Sequence, residues 1–339
     1  MKLTAEPLEL RLRHTFTIAR SSSDWAHNVL VRIRHGKHEG LGEASPVSYY
    51  GQDQAGTIKT LREMGRVLAK AHPFDLERVL AELRRKYPKH PGALAAIDLA
   101  LHDLIGKLLN IPLWKYWGLD AADTPRTSFT IGIDSLEKVR QKLAEAERFP
   151  VLKIKLGVPG DEEIIREVRK QCPKKTLRVD ANCGWSVADS IRKAKLLEKL
   201  GVEFLEQPVP PGNPAALKRI KQSIGIPLLT DESSVVPEDV PKLLGCVDGI
   251  NIKLVKCGGL RRALQMIHTA RSCGLKIMIG CMIESSVMIT AGAQLTPLVD
   301  YADLDGNVLI SNDPFRGVKL DKAARLLLPK GPGLGVVPA

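Results

Sequence analysis

Apolar and polar positions alternate through the N-terminal part of the chain. Leu8-Glu9-Leu10-Arg11-Leu12 and Val29-Leu30-Val31-Arg32-Ile33 repeat with the period of two that a half-buried strand requires. His35-Gly36-Lys37-His38-Glu39-Gly40 supplies a turn before a third strand at Leu41, so an antiparallel meander is expected. Residues 55–71, 75–87 and 91–109 carry a helical pattern, the last opening on a proline suited to a first turn. Residues 17–26 and 45–53 read as long loops between these elements. The N-terminal portion is thus read as a small α+β domain.

From Thr127 onward short apolar strands alternate with amphipathic helices, the pattern of βα units around a parallel sheet. The strands fall at 128–133, 152–155, 177–180, 204–206, 227–230, 249–253, 276–280 and 299–303. Eight strands with seven helices between them predict an α/β fold, a closed (β/α)7β barrel that lacks the last helix of a TIM barrel. After Asp305 the chain is expected to return to the small domain. The division this implies is an α+β cap over 1–120, completed by 311–339, and a catalytic barrel over 121–310.

Composition narrows the class. The N-terminal MKLTAEPLELRLR is charged throughout and is not a signal peptide, and the uncharged run 285–299 is too short and polar to span a bilayer. Six cysteines without a CxxC pair read as reduced thiols, so a cytoplasmic location and no membrane partner are expected. The net charge of +12 raises nucleic acid as a partner, but basic residues are interspersed with acids and aromatics are only 4% of the chain. Nucleic-acid binding is therefore set aside. Whether the chain forms a homo-oligomer is left open by the sequence.

The polar residues at the strands' C-terminal ends are Thr130, Lys155, Asp180, Glu206, Asp231, Lys253, Cys281 and Asp303, spaced 22 to 28 residues apart. One βα unit per step brings them all to the mouth where barrel enzymes carry their catalytic groups. Asp180, Glu206 and Asp231 fall on consecutive strands, and three converging carboxylates repel unless a cation sits among them. Oxygen ligands without histidine point to Mg2+, with Mn2+ as the alternative, and away from zinc. Lys155 and Lys253 lie on strands two and six, opposite in an eight-strand ring. That is the arrangement for taking and returning a proton on opposite faces of one carbon. A divalent metal would hold a substrate carboxylate while its weakly acidic α-proton leaves. Lys153 shares a face with Lys155, and its ammonium favours the neutral form of Lys155 and is placed to grip the substrate carboxylate.

Lys153-Ile154-Lys155, Val179-Asp180-Ala181-Asn182, Leu205-Glu206-Gln207-Pro208, Thr230-Asp231-Glu232-Ser233 and Asn251-Ile252-Lys253 resemble the barrel motifs of the enolase superfamily, in its muconate-lactonizing subgroup. The resemblance covers essentially the whole chain. It implies the ene-diolate chemistry known of that superfamily, with Lys155 and Lys253 as bases and Asp180, Glu206 and Asp231 as metal ligands. Within the subgroup, Asp303-Leu304-Asp305-Gly306 resembles the aspartate pair with which dipeptide epimerases bind a free amine. Gly280-Cys281-Met282-Ile283-Glu284-Ser285-Ser286 resembles their substrate-facing seventh-strand loop.

The resemblance therefore implies a Mg2+-dependent epimerase acting on the α-carbon of the C-terminal residue of a dipeptide. L-Ala-L-Glu is the default substrate, and a role in peptidoglycan-peptide turnover follows. Thr130, Lys153, Cys281, Asp303 and Asp305 are its expected substrate-binding residues. Some members use an arginine for the glutamate side chain; the register of the segment carrying Arg20 leaves that role open for Arg20, and Asp24 in the same segment would be unwelcome beside an acidic substrate. N-acylamino acid racemase and o-succinylbenzoate synthase share the barrel motifs and stay open. A catalytically dead barrel used for binding would have lost ligands, and here all are present.

Overall fold

The computed structural model describes all 339 residues. Three antiparallel strands open it: β1 (Lys2–Ile18), β2 (Ser21–His35) and β3 (His38–Ala44). Leu8, Leu10 and Leu12 are buried while their neighbours are not, which is the alternation read from the sequence. The expected loop over 17–26 is instead the end of a hairpin: Thr17 pairs with Ser22 and Ile18 with Ser21 across a tight turn at Ala19 and Arg20. Its serines carry no apolar face because this end projects past the sheet's own core, so backbone pairing there has no hydrophobic signature. Residues 45–53 do form a loop, with a short 3-10 turn at Ser48–Tyr50.

Helices α1 (Gln54–Leu68), α2 (Leu76–Lys86) and α3 (Pro91–Leu108) follow. Helix α3 is buried from Gly92 to Gly106 on every face, because the sheet lies on one side and the barrel on the other. Gly40 and Gly42 permit that contact. A Cβ on Gly42 would stand 1.9 Å from the Ala96 carbonyl oxygen, and one on Gly40 2.0 Å from that of Ala100.

Eight parallel strands then form one sheet in chain order: β4 (Phe129–Ile131), β5 (Val151–Lys155), β6 (Thr176–Asp180), β7 (Val202–Glu206), β8 (Leu228–Thr230), β9 (Gly249–Lys253), β10 (Lys276–Gly280) and β11 (Tyr301–Asp303). A parallel bridge between Thr127 and Ala302 brings the two edges together. Six of the seven connections carry an α-helix. Between β8 and β9 the expected helix is a 3-10 turn, Pro237–Leu243. Pro241 inside it has no amide hydrogen to give and disfavours continuation as an α-helix.

Three buried carboxylates on the N-terminal elements tie them to later ones. Glu43 accepts from the Ser285 and Met288 amides, capping helix Ser286–Ala293 of the barrel. Asp98 likewise accepts from Leu260 and Arg261 at the start of helix Leu260–Ser272. Asp103 receives the amides of Leu41 and Leu334, joining β3 to the C-terminal tail. Each carboxylate meets amides that a helix or loop end would leave unbonded.

Candidate active site

A cavity of about 740 Å3 opens at the C-terminal ends of the strands, roofed by the β1–β2 hairpin, the 45–53 loop and the start of α1. Thr130, Lys155, Asp231, Lys253, Cys281, Asp303 and Asp305 all line it. Lys153, Asp180 and Glu206 are buried beneath them. The ten residues singled out in the sequence therefore meet at one end of the barrel. They do so because strand pairing in register sets Lys155 beside Asp180 and Asp180 beside Glu206.

The lysines stand among the carboxylates. Lys153 Nζ lies 2.8 Å from Asp303, 2.7 Å from Glu206 and 3.1 Å from Asp180. Lys155 Nζ lies 2.7 Å from Asp180 Oδ2, and Lys253 Nζ 3.0 Å from Asp231 Oδ2. Lys256, from the short turn after β9, also pairs with Asp231. Where the sequence suggested that Lys153 grips a substrate carboxylate, its ammonium is held by three carboxylates of the protein.

Burial opposes every charge here, and the neighbours decide the outcome. Against burial, Lys155 and Lys153 hold Asp180 well below the usual carboxylate range, and Lys253 and Lys256 do the same for Asp231. Burial and the charge of Asp180 push Glu206 up to about 7. Lys253 is desolvated, yet Asp231 raises its affinity for its proton. Burial and the charge of Asp303 push Asp305 up to about 6.

As the side chains stand, no three carboxylates enclose an ion position, the ammonium groups lying between them. The donor set nevertheless fits a hard divalent cation. Its ligands would be oxygens only, Glu206 offering Oε2 to the Lys153 ammonium and Oε1 to the Asn251 amide nitrogen. Asn182 Oδ1 and Asn251 Oδ1 beside the carboxylates are buried acceptors without donors. The backbone after the first two ligands is strained: Asn182 has φ 42°, Cys183 φ 65° and Gln207 φ 34°. Non-glycine residues hold such angles where the surroundings impose them, often at functional sites. Gln207 shows how: its side-chain oxygen accepts from the Asp231 and Ser233 amides, and its nitrogen donates to Val209 O and Ser233 Oγ.

At the other wall Ser128 Oγ donates to Asp303 Oδ1 at 2.6 Å, and the Thr130 amide to Asp305 Oδ2 at 2.6 Å. Cys281 Sγ approaches Asp305 Oδ1 at 3.9 Å. Arg20, at the hairpin turn, reaches the cavity, donating to Glu232 and to the Asn182 carbonyl. Asp24 is the correction: it faces the outside of the hairpin, bonded to Thr15, and does not line this cavity. Lys256 escaped the sequence reading, and Asn251 and Glu232 entered it only within motifs, with no role of their own. Asn251 had a signal, since it shares a face with Lys253 two residues on. Lys256 and Glu232 act through contacts between separate elements and had none.

Residues 135–339 match the enolase C-terminal domain-like family, and residues 3–118 the mandelate racemase / muconate lactonizing enzyme N-terminal domain. The chain is 41% identical over 339 residues to an L-Ala-D/L-Glu epimerase of Bacteroides thetaiotaomicron, covering 99% of this chain and 88% of that protein. It is 40% identical over 336 residues to an L-Ala-D/L-amino acid epimerase of a Maribacter species, covering 99% of each. A dipeptide epimerase of Enterococcus faecalis, solved with Mg and L-Leu-L-Tyr, superposes with a TM-score of 0.94 at 32% identity, over 99% of this chain and 98% of that one. With both parts matched and nearly its full length shared with such relatives, the chain belongs to the mandelate racemase and muconate lactonizing enzyme family of the enolase superfamily.

Proposed function

We propose that the protein is a Mg2+-dependent dipeptide epimerase, inverting the α-carbon of the C-terminal residue of substrates such as L-Ala-L-Glu. The relatives bearing epimerase names support it, as does the solved relative holding Mg and a dipeptide. The observation that carries the reading is the pair Lys155 and Lys253, on the second and sixth of eight strands and lining one cavity.

In this reading Asp180, Glu206 and Asp231 hold the metal. When bound, the ion offsets the charge that builds on the substrate carboxylate as the α-proton leaves. Lys155 and Lys253 then face opposite sides of the α-carbon: one takes the proton and the other returns one to the far face of the planar ene-diolate. Lys153, tied to Asp180, Glu206 and Asp303, keeps the carboxylates in place. Asp305 receives the substrate's ammonium beside Asp303, which Ser128 and Lys153 hold, with Thr130 and Cys281 completing that wall. The hairpin and the 45–53 loop exclude water.

We read residues 1–120 with 311–339 as the cap and 121–310 as the barrel. No helix is long and apolar enough to cross a membrane, and all six cysteines are free, which supports a reducing cytoplasm. Solvent deuterium entering the α-position of dipeptides, followed by mass spectrometry across a dipeptide library, tests the activity. No incorporation into any of them would refute it.

A further inference from the structure

The side chains of Arg20, His27, Asp53 and Glu232, each with an ionisable group, line the cavity above the barrel mouth. His27 pairs with Glu9, and Asp53 caps α1 through the Gly56 amide. Arg20 and Glu232 pair with each other, Nη2 to Oε1, at 2.6 Å. The Glu232 side chain is 1% exposed and that of Arg20 28%, so the carboxylate stands behind the guanidinium as seen from the cavity. Glu232 Oε2 has no hydrogen-bond partner. Arg20 is fixed further by the Asn182 carbonyl at 2.9 Å and lies over the Tyr49 ring at 4.3 Å.

We propose that Glu232 is a positioning residue that sets the charge preference for the side chain of the epimerised residue, acting through Arg20. The inference rests on the dipeptide epimerase reading. An acidic side chain entering this part of the cavity gains the guanidinium but also meets the carboxylate behind it. In a site shielded from water that like charge is felt strongly. Arg20 and Glu232 together present a nearly neutral pair, so glutamate and glutamine, which share a shape, are accepted alike. Without the Glu232 charge, Arg20 becomes a free cation and selects the acid.

The test compares kcat/KM for L-Ala-L-Glu and L-Ala-L-Gln, followed by α-proton exchange, in wild type, E232Q, R20A and the double variant. Because the substrates are isosteric, any damage to folding or to the adjacent Asp231 cancels in their ratio. The wild-type Glu:Gln ratio should lie within about tenfold of unity, and E232Q should raise it by at least about tenfold. R20A in combination with E232Q should abolish that rise. A ratio unmoved by E232Q, a rise that persists without Arg20, or a wild type that already selects glutamate by more than about a hundredfold overturns the inference alone. Exchange from no dipeptide at all overturns the epimerase reading and the inference with it.

Discussion

Asp303 and Asp305 stand on one wall of the cavity, but only Asp305 keeps an oxygen available. Asp303 gives one oxygen to Ser128 and the other to Lys153, whereas Asp305 Oδ1 has only the long contact from Cys281 Sγ at 3.9 Å. A substrate ammonium at Asp305 gains a charge-assisted hydrogen bond, worth roughly 1.5–3 kcal/mol. N-acetylated L-Ala-L-Xaa should therefore lose at least about tenfold in kcat/KM against the free dipeptide, about 1.4 kcal/mol. Asp305→Asn should erase most of that preference. Equal wild-type rates on the two substrates would favour an N-acylamino acid racemase instead.

The same residue sets a pH limb. Burial and Asp303 push Asp305 up to about 6, so its charged form is lost as pH falls through that value. On kcat/KM, which reports the free enzyme, free dipeptides should lose activity about tenfold per unit below it. Asp305→Asn should lack this limb at a lower plateau. An unchanged profile in the variant would assign the limb to another group.

Glu206→Gln removes one negative charge from the carboxylate cluster and leaves Lys153 with Asp180 and Asp303. Calorimetric Mg2+ titration should show affinity weakened at least about tenfold, with turnover reduced in parallel. Epimerisation undiminished after exhaustive chelation of the wild type would contradict the metal assignment.

Two glycines separate close packing from mere presence in an element. Gly42→Ala would drive a Cβ to 1.9 Å from the Ala96 carbonyl oxygen, parting β3 from α3. Urea unfolding should show a loss of about 1–3 kcal/mol. At Gly65 in α1 a Cβ meets Leu3 at 3.6 Å, an ordinary contact. Gly65→Ala should be neutral or stabilise by up to about 1 kcal/mol.

The barrel was legible because short apolar strands, most of them ending on or just before a polar residue, alternate with helices that mostly keep their own period. Asp180, Glu206 and Asp231 could be grouped because chain order and spatial order coincide in a parallel barrel. The hairpin over 17–26 was not legible, since its pairing buries no apolar face. Nor was the 3-10 turn after β8, where Pro241 interrupts an otherwise helical pattern. Glu232 and Lys256 matter through partners on other elements, and periodicity carries no record of those. Asp24 was misjudged for a simpler reason: only a known register says which side of a strand a residue takes.

The central claim is that Lys155 and Lys253 serve opposite faces of one α-carbon. It is tested most directly by proton NMR in D2O, following α-proton loss separately from L-Ala-L-Glu and L-Ala-D-Glu with the wild type, Lys155→Ala and Lys253→Ala. Wild type should wash the α-proton out of both diastereomers and interconvert them. Each single variant should epimerise neither, and any residual exchange should be confined to one diastereomer, a different one for each lysine. Full epimerisation by either variant, or residual exchange from the same diastereomer in both, would contradict the account.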